Sequence, residues 1–306
     1  MEYLKVSEIA VRWGISTRRV RQLCADGRIP GMIRKGNLYM IPADAVQPAD
    51  ARAYAKASGK RMYQFVEIDA LQKEMAAMRP LSPAEVAALR DEFLVEHTYN
   101  SNAIEGNTLT MKETALALQG ITIDRKPLKD HLEVVGYKDA YEYVEQLVRE
   151  KRTLTANEIC NIHSLVLADR REDRGRWRRV PVRIAGASTV PVQPYQIEPM
   201  IDALLCDYTT TYRALHTIER VALFHLRFES IHPFIDGNGR TGRLLLNLQL
   251  MQDGFLPINV KYADRRRYYE AFEDYAISSS PMLMTTLIAD YLQERIRTML
   301  DILRHL

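Results

Sequence analysis

The sequence predicts a mainly α-helical protein in two modules, and three observations carry that prediction. From Tyr63 onward, apolar residues recur at the 3.6-residue helical period with few interruptions. One later segment, RVPVRIAGASTVPVQP (179–194), instead alternates β-formers about Ala185-Gly186-Ala187, the pattern of a small β-hairpin. Residues 1–46 are different again: eight Lys/Arg face four Asp/Glu there, while the rest of the chain nets −1 of the total +3. A basic patch on a neutral body suits an anionic partner for that patch alone.

Composition excludes several classes. Hydrophobic content of 47% and charged content of 26% are ordinary for a globular protein. No apolar run nears the ~20 residues that span a bilayer, so no membrane association is expected. MEYLKVSEIAVRWG holds no leader-type apolar core, and Cys24, Cys160 and Cys206 are scattered and odd in number. A reduced, cytoplasmic setting is the expectation.

The first module, 1–46, reads as helix, turn, helix, wing. Val6–Trp13 places Ile9, Ala10 and Trp13 on one face; Gly14-Ile15-Ser16 turns, with Ser16 able to cap the next helix. Thr17–Ala25 points Val20 and Leu23 inward and Arg18, Arg19 and Arg21 outward. Asp26-Gly27 stops that helix, and Lys35-Gly36-Asn37 joins short β stretches at 32–34 and 38–41. The arrangement is one that docks on DNA, with Arg18, Arg19, Arg21 and Lys35 as the contact candidates. It resembles the small winged helix-turn-helix of the MerR and excisionase type. A packing module that touches no DNA is the other reading. Residues 47–62 read as a linker.

The body is expected to carry helices at 65–77, 83–98, 111–120, 127–149, 156–169, 196–212, 216–230, 238–253, 265–277 and 282–304, with Ser82 as an N-cap. Within it, ESIHPFIDGNGRTGRLLL (229–246) concentrates His232, Asp236, three glycines and two arginines ahead of a leucine run. A P-loop reading fails, because Arg243-Leu244 stands where that loop has Lys-Ser/Thr and no strand leads in. A dinucleotide fingerprint fails for want of a βαβ unit. A zinc reading lacks ligands beyond His225, His232 and Asp236. His97, His131, His163, His216, His225 and His305 read as core or surface residues.

A phosphotransfer site fits the stretch. Pro233 disfavours helix at His232, Phe234 can anchor the loop, and Gly237-Asn238-Gly239 lets backbone N–H groups converge at a helix start. Arg240 and Arg243, three apart, project beside that cradle. Asp236 is a hard oxygen ligand suited to Mg²⁺ on phosphates, and His232 can take a proton near neutrality.

HPFIDGNGRTGR matches the signature HPFx[DE]GNGRxxR at every fixed position, and the chain from about residue 63 to 306 resembles the Fic family. The resemblance implies a Fic-type helical bundle with inhibitory region 63–126, core 127–306 and flap 179–194. It implies a protein adenylyltransferase that moves AMP from ATP to a Ser, Thr or Tyr hydroxyl of a target protein, or of the chain itself; it also admits a homodimer. His232 would deprotonate the hydroxyl and Asp236 would hold Mg²⁺. Gly237, Asn238 and Gly239 would stabilise the transferring phosphoryl, Arg240 the β- and Arg243 the γ-phosphate, with Thr241 and Gly242 inside the same nucleotide-binding run. Val182, Arg183, Ile184, Ala185 and Gly186 would hold the target as an added strand. Tyr268 and Tyr269 match an adenine-lining pair in relatives, with helix packing as the alternative; Ala276 replaces an asparagine found in some of them.

Upstream, Ser101-Asn102-Ala103-Ile104-Glu105-Gly106 matches the family's inhibitory pattern [ST]xxxE[GN]. Alone it could be an ordinary helix end. A carboxylate beside Arg243 would pair with it bidentately and compete with the γ-phosphate. Ser101, Glu105 and Gly106 thus imply an inhibitory helix of about 86–105. A de-AMPylating or dual-function enzyme, or a DNA-binding regulator whose Fic domain senses nucleotide, are the alternatives.

Overall fold

A computed structural model describes residues 3–13, 16–25, 29, 31–36, 38–43, 45, 62–168, 170–184 and 190–305. The expected linker lies outside this set except for Met62, as do the Gly14-Ile15 and Asp26-Gly27 turns. The chain forms two compact units, Met1–Ala57 and Ser58–Leu306.

The first unit runs β1 (Tyr3–Lys5), α1 (Val6–Arg12), α2 (Thr17–Ala25), β2 (Ile33–Lys35) and β3 (Leu38–Pro42). Its antiparallel sheet has the order β1-β3-β2, with Leu4 opposite Ile41 and Arg34 opposite Tyr39. Ile9, Val20, Leu23 and Ile41 form its core. The Ser16 hydroxyl accepts the Arg19 N–H at 3.2 Å, the expected cap. Strand β1 was not foreseen; three residues are too short to show a period, and pairing with β3 is what makes them a strand.

The second unit holds α3 (Met62–Ala77), α4 (Pro83–Ile104), α5 (Met111–Leu118), α6 (Leu128–Arg149), α7 (Ala156–Val166), α8 (Ile197–Thr209), α9 (Thr217–Ile231), α10 (Asn238–Gln252), α11 (Arg265–Ser278) and α12 (Met282–His305). No helix among the described residues is long and apolar enough to cross a membrane. Helix α4 opens on a capping box: the Ser82 hydroxyl accepts Glu85 N–H, and the Glu85 carboxylate accepts Ser82 N–H. Helices α4, α5 and α6 pack on one another across the boundary expected at 126/127. Helix α10 sits at the centre, against α4, α6, α7 and α9. Its Leu246 and Leu250 enter one apolar cluster and its Leu244, Leu245 and Leu248 another. The leucine run is the seam between two cores, and the polar head of the same helix is thereby fixed in place.

Among the described residues of the hairpin expected over 179–194, none is in a strand. Residues 179–184 and 190–193 form no ladder, and Ala185 and Gly186 lie outside the described residues. Pro181, Pro191 and Pro194 have no N–H to donate. Arg178 takes carbonyls of both arms instead, Nη1 donating to Val180 O (3.0 Å) and Nη2 to Val192 O (2.5 Å).

Candidate active site

Helix α9 ends at Ile231 because Pro233 bars helical geometry at His232. His232 turns into the left-handed region (φ 51°), uncommon for a non-glycine residue. Buried Arg178 holds it there: its N–H donates to Pro233 O (2.9 Å) and its Nε to His232 O (2.8 Å). Burial pushes the His232 imidazole down to about 4, so it is neutral and able to accept a proton at pH 7. Its nearest carboxylate is Glu229, with Oε2 4.0 Å from Nδ1.

The loop after His232 is braced from within. Phe234 is fully buried and stacks on His163 at 3.6 Å between ring centroids. His163 Nε2 donates to the Asp236 carbonyl (3.0 Å), while Nδ1 accepts the Gly175 N–H (2.9 Å). Asn238 closes the turn on Phe234, Oδ1 accepting its N–H (2.8 Å) and Nδ2 donating to its carbonyl (2.9 Å). The Asn238 side-chain amide thus braces the loop, through both its oxygen and its nitrogen. Gly237 supplies the left-handed step (φ 74°).

The cradle is also displaced by one residue. Gly237 N–H donates to Asp236 Oδ1 (2.7 Å). The first bond of α10 is Thr241 N–H to Gly237 O, at 3.0 Å. The N–H groups of Asn238, Gly239 and Arg240 therefore have no acceptor within the helix and face its start, an anion site.

A carboxylate of this chain lies against that site. Glu105 follows the last residue of α4, and Gly106 (φ 92°) turns the chain away. Arg243 Nη2 donates to Glu105 Oε1 at 2.7 Å. A Cβ added to Gly239 would overlap the same oxygen. The pairing is not bidentate as expected. Ser101 takes the other edge of the guanidinium, its hydroxyl accepting from Nε (2.8 Å) and its carbonyl from Nη2 (2.8 Å).

Other predicted residues divide. Arg240 is buried, with Nη1 3.1 Å from Glu133 and Nη2 3.5 Å from Asp236. Thr241 is fully buried, and a Cβ added to Gly242 would overlap Glu229 and crowd His225. Tyr268 is 1% exposed, its hydroxyl donating to His225 Nε2 (2.7 Å) and its ring beside the Arg243 guanidinium. Tyr269 is 45% exposed, donates to Ile104 O (3.3 Å), and borders a surface cleft with Arg265, Arg266, Glu270 and Glu273. Val182 and Ile184 are half-buried and Arg183 exposed. In the other unit, Arg18 and Arg21 are exposed on α2 and Arg19 is half-buried. Lys35 lies on β2, its side chain outside the described residues.

Sequence reading missed Arg178, His163, Glu133 and Glu229 as parts of the site. All but Glu229 meet the loop from far along the chain, and none carries a local motif.

A magnesium ion fits the donor set. Asp236 is a single, third-exposed carboxylate whose Oδ2 lies 3.4 Å from Arg170 Nη2, and no group of three metal-binding side chains exists among the described residues. Mg²⁺ at such a place takes one carboxylate together with phosphate oxygens and water.

Comparison with known proteins settles the fold. Residues 153–250 match the Fic/DOC family model. The Fic/DOC segment thus spans α7 to α10 and contains the whole loop. The Fic domain containing signaling protein of Bacteroides thetaiotaomicron superposes with a TM-score of 0.72 at 25% identity, over 79% of this chain and 98% of that one. Fic-1 from C. elegans gives 0.73 at 25%, over 83% of this chain and 76% of that one. Among curated relatives, Protein adenylyltransferase Fic of Nematostella vectensis is 38% identical across 58% of this chain, and that of Drosophila willistoni 32% across 74%. This chain spans only 42% and 43% of those two proteins. The bundle has the Fic fold.

Proposed function

We propose that the chain is a protein adenylyltransferase that moves AMP from ATP to a hydroxyl side chain of a protein, held off by Glu105. The observation that carries this reading is the Glu105 carboxylate on Arg243, laid against Gly239 at the start of α10. It lies beside a buried arginine at a helix start, a place that favours an anion. The curated relatives named adenylyltransferases support the reaction class.

The chemistry follows from positions. Neutral His232 accepts the proton of the attacking hydroxyl as its oxygen bonds to the α-phosphorus. The α–β bridging bond breaks and diphosphate leaves. The N–H groups of 238–240 stabilise charge on the phosphates, while Arg240 and Arg243 receive the leaving diphosphate. Magnesium, held by Asp236, would neutralise phosphate charge. Glu105 opposes all this by occupying Arg243. The segment about Val182–Ile184 lies along the chain from Arg178, which touches the His232 carbonyl, and is the proposed seat of the target strand. The first unit is proposed as a winged helix-turn-helix on DNA, supported by exposed Arg18 and Arg21 on the second of two helices. A cytoplasmic setting accompanies the reading.

The test is AMP incorporation from α-labelled ATP into the chain itself. Glu105→Gly is expected to raise labelling at least tenfold, and His232→Ala on that background to lower it ~10²–10⁴-fold. Equal labelling with and without Glu105 removes the inhibitory role. If the unsubstituted chain instead strips AMP from a labelled product and Glu105→Gly loses that ability, the net reaction is the reverse one.

A further inference from the structure

One buried carboxylate at the site has no place in the chemistry above. Glu133, on α6, lies 3.1 Å through Oε1 from Arg240 Nη1. Both side chains are more than nine-tenths buried. Arg240 stands on the first turn of α10, where the helix dipole is positive and a buried cation is doubly unfavourable without an anion beside it. Its other acidic neighbour, Asp236 at 3.5 Å, is third-exposed and is the residue suited to a phosphate-bound cation. Glu133 is thus the fixed counter-charge. Arg240 Nε and Nη1 both lack a hydrogen-bond partner among the described residues, so the Glu133 contact is an ion pair rather than a hydrogen bond and the guanidinium keeps donors to offer.

The same carboxylate is tied to the inhibitory turn. Asn107, two residues after Glu105, donates from Nδ2 to Glu133 Oε2 (2.9 Å) and to the Asp130 carbonyl (3.1 Å). Thr108 N–H donates to Asp130 Oδ2 (2.9 Å), fastening the turn to the start of α6. One short stretch of chain therefore reaches both arginines: Glu105 touches Arg243 directly, and Asn107 reaches Arg240 through Glu133.

We infer that Glu133 is a positioning residue for Arg240, holding one arm of its guanidinium so that the rest meets the β-phosphate of the nucleotide. This rests on the nucleotide reading above, and its test uses binding rather than transfer. AMP and ADP are titrated calorimetrically, in EDTA, into Glu105→Gly and into Glu105→Gly combined with Glu133→Gln, Glu133→Asp or Arg240→Ala. ADP carries the β-phosphate and AMP does not, so the ratio of their affinities reports Arg240. That ratio is expected to fall about tenfold with Arg240→Ala and severalfold with Glu133→Gln, while AMP affinity changes less than twofold. Glu133→Asp, which keeps the charge, recovers part of it. A ratio unmoved by Glu133→Gln, or AMP and ADP weakened alike, overturns the inference. So does the absence of any ADP preference in Glu105→Gly. A ratio that responds as expected in a chain that transfers no AMP sinks the transferase and leaves Glu133 in its role.

Discussion

Glu229 shows how far a single side chain can depart from what its place in the sequence suggests. It lies one turn before His232 in a run that reads as polar, yet its Oε1 is buried with no hydrogen-bond partner among the described residues. Burial pushes its carboxyl up to about 8, with Glu105 adding and Arg243 opposing. An unfolded glutamate titrates near ~4.3. Between those values the folded state binds more protons than the unfolded one, so this group's contribution to stability falls as pH rises. Glu229→Gln should therefore gain in melting temperature over the unsubstituted chain when the two are compared at pH 8 rather than pH 5. An identical difference at both pH values would remove the assignment. Neighbouring Gly242 is explained by the same carboxylate, which a Cβ there would overlap. At this scale His232, Asp236, Arg243 and Glu105 were legible because each is chemically conspicuous in a short motif. Glu133, His163 and Arg178 were not, since their partners lie up to 107 residues away in sequence.

At the scale of elements, the loop between α9 and α10 depends on packing more than on its glycines. Phe234 stacks on His163 and sits beside Trp177, and its backbone is closed by Asn238. Phe234→Ala removes a fully buried ring and should cost about 3–5 kcal/mol in urea unfolding. A loss below about 1 kcal/mol would mean that the loop stands without this anchor. Helix boundaries followed sequence signals where those signals are local. The Ser82 cap starts α4 and Pro233 stops α9 as expected. Local alternation at 179–194 gives no strand among the described residues, where Pro181, Pro191 and Pro194 have no N–H to offer a ladder.

The whole molecule has two compact units of contrasting charge, a net +5 on Met1–Ala57 and −2 on Ser58–Leu306. If the basic unit meets DNA through α2, replacing Arg18, Arg19 and Arg21 by Glu in the full chain should weaken a gel shift at low salt. Losing three phosphate contacts would lower the slope of log affinity against log salt by about 2.7. No shift from the unsubstituted chain at either of two salt concentrations leaves the unit a packing role.

The sequence by itself determined the helical class, the basic first module and the presence of the HPFIDGNGRTGR and Glu105 motifs, because period, charge and motif spacing are local properties. Tertiary structure alone decided what those residues do to one another. It placed Ser101 on the second edge of Arg243, turned Asn238 inward, buried Tyr268 and set Glu133 against Arg240. Those outcomes follow from which distant helices pack against α10, and burial there sets both the charge state of each group and the donors left to bind a phosphate.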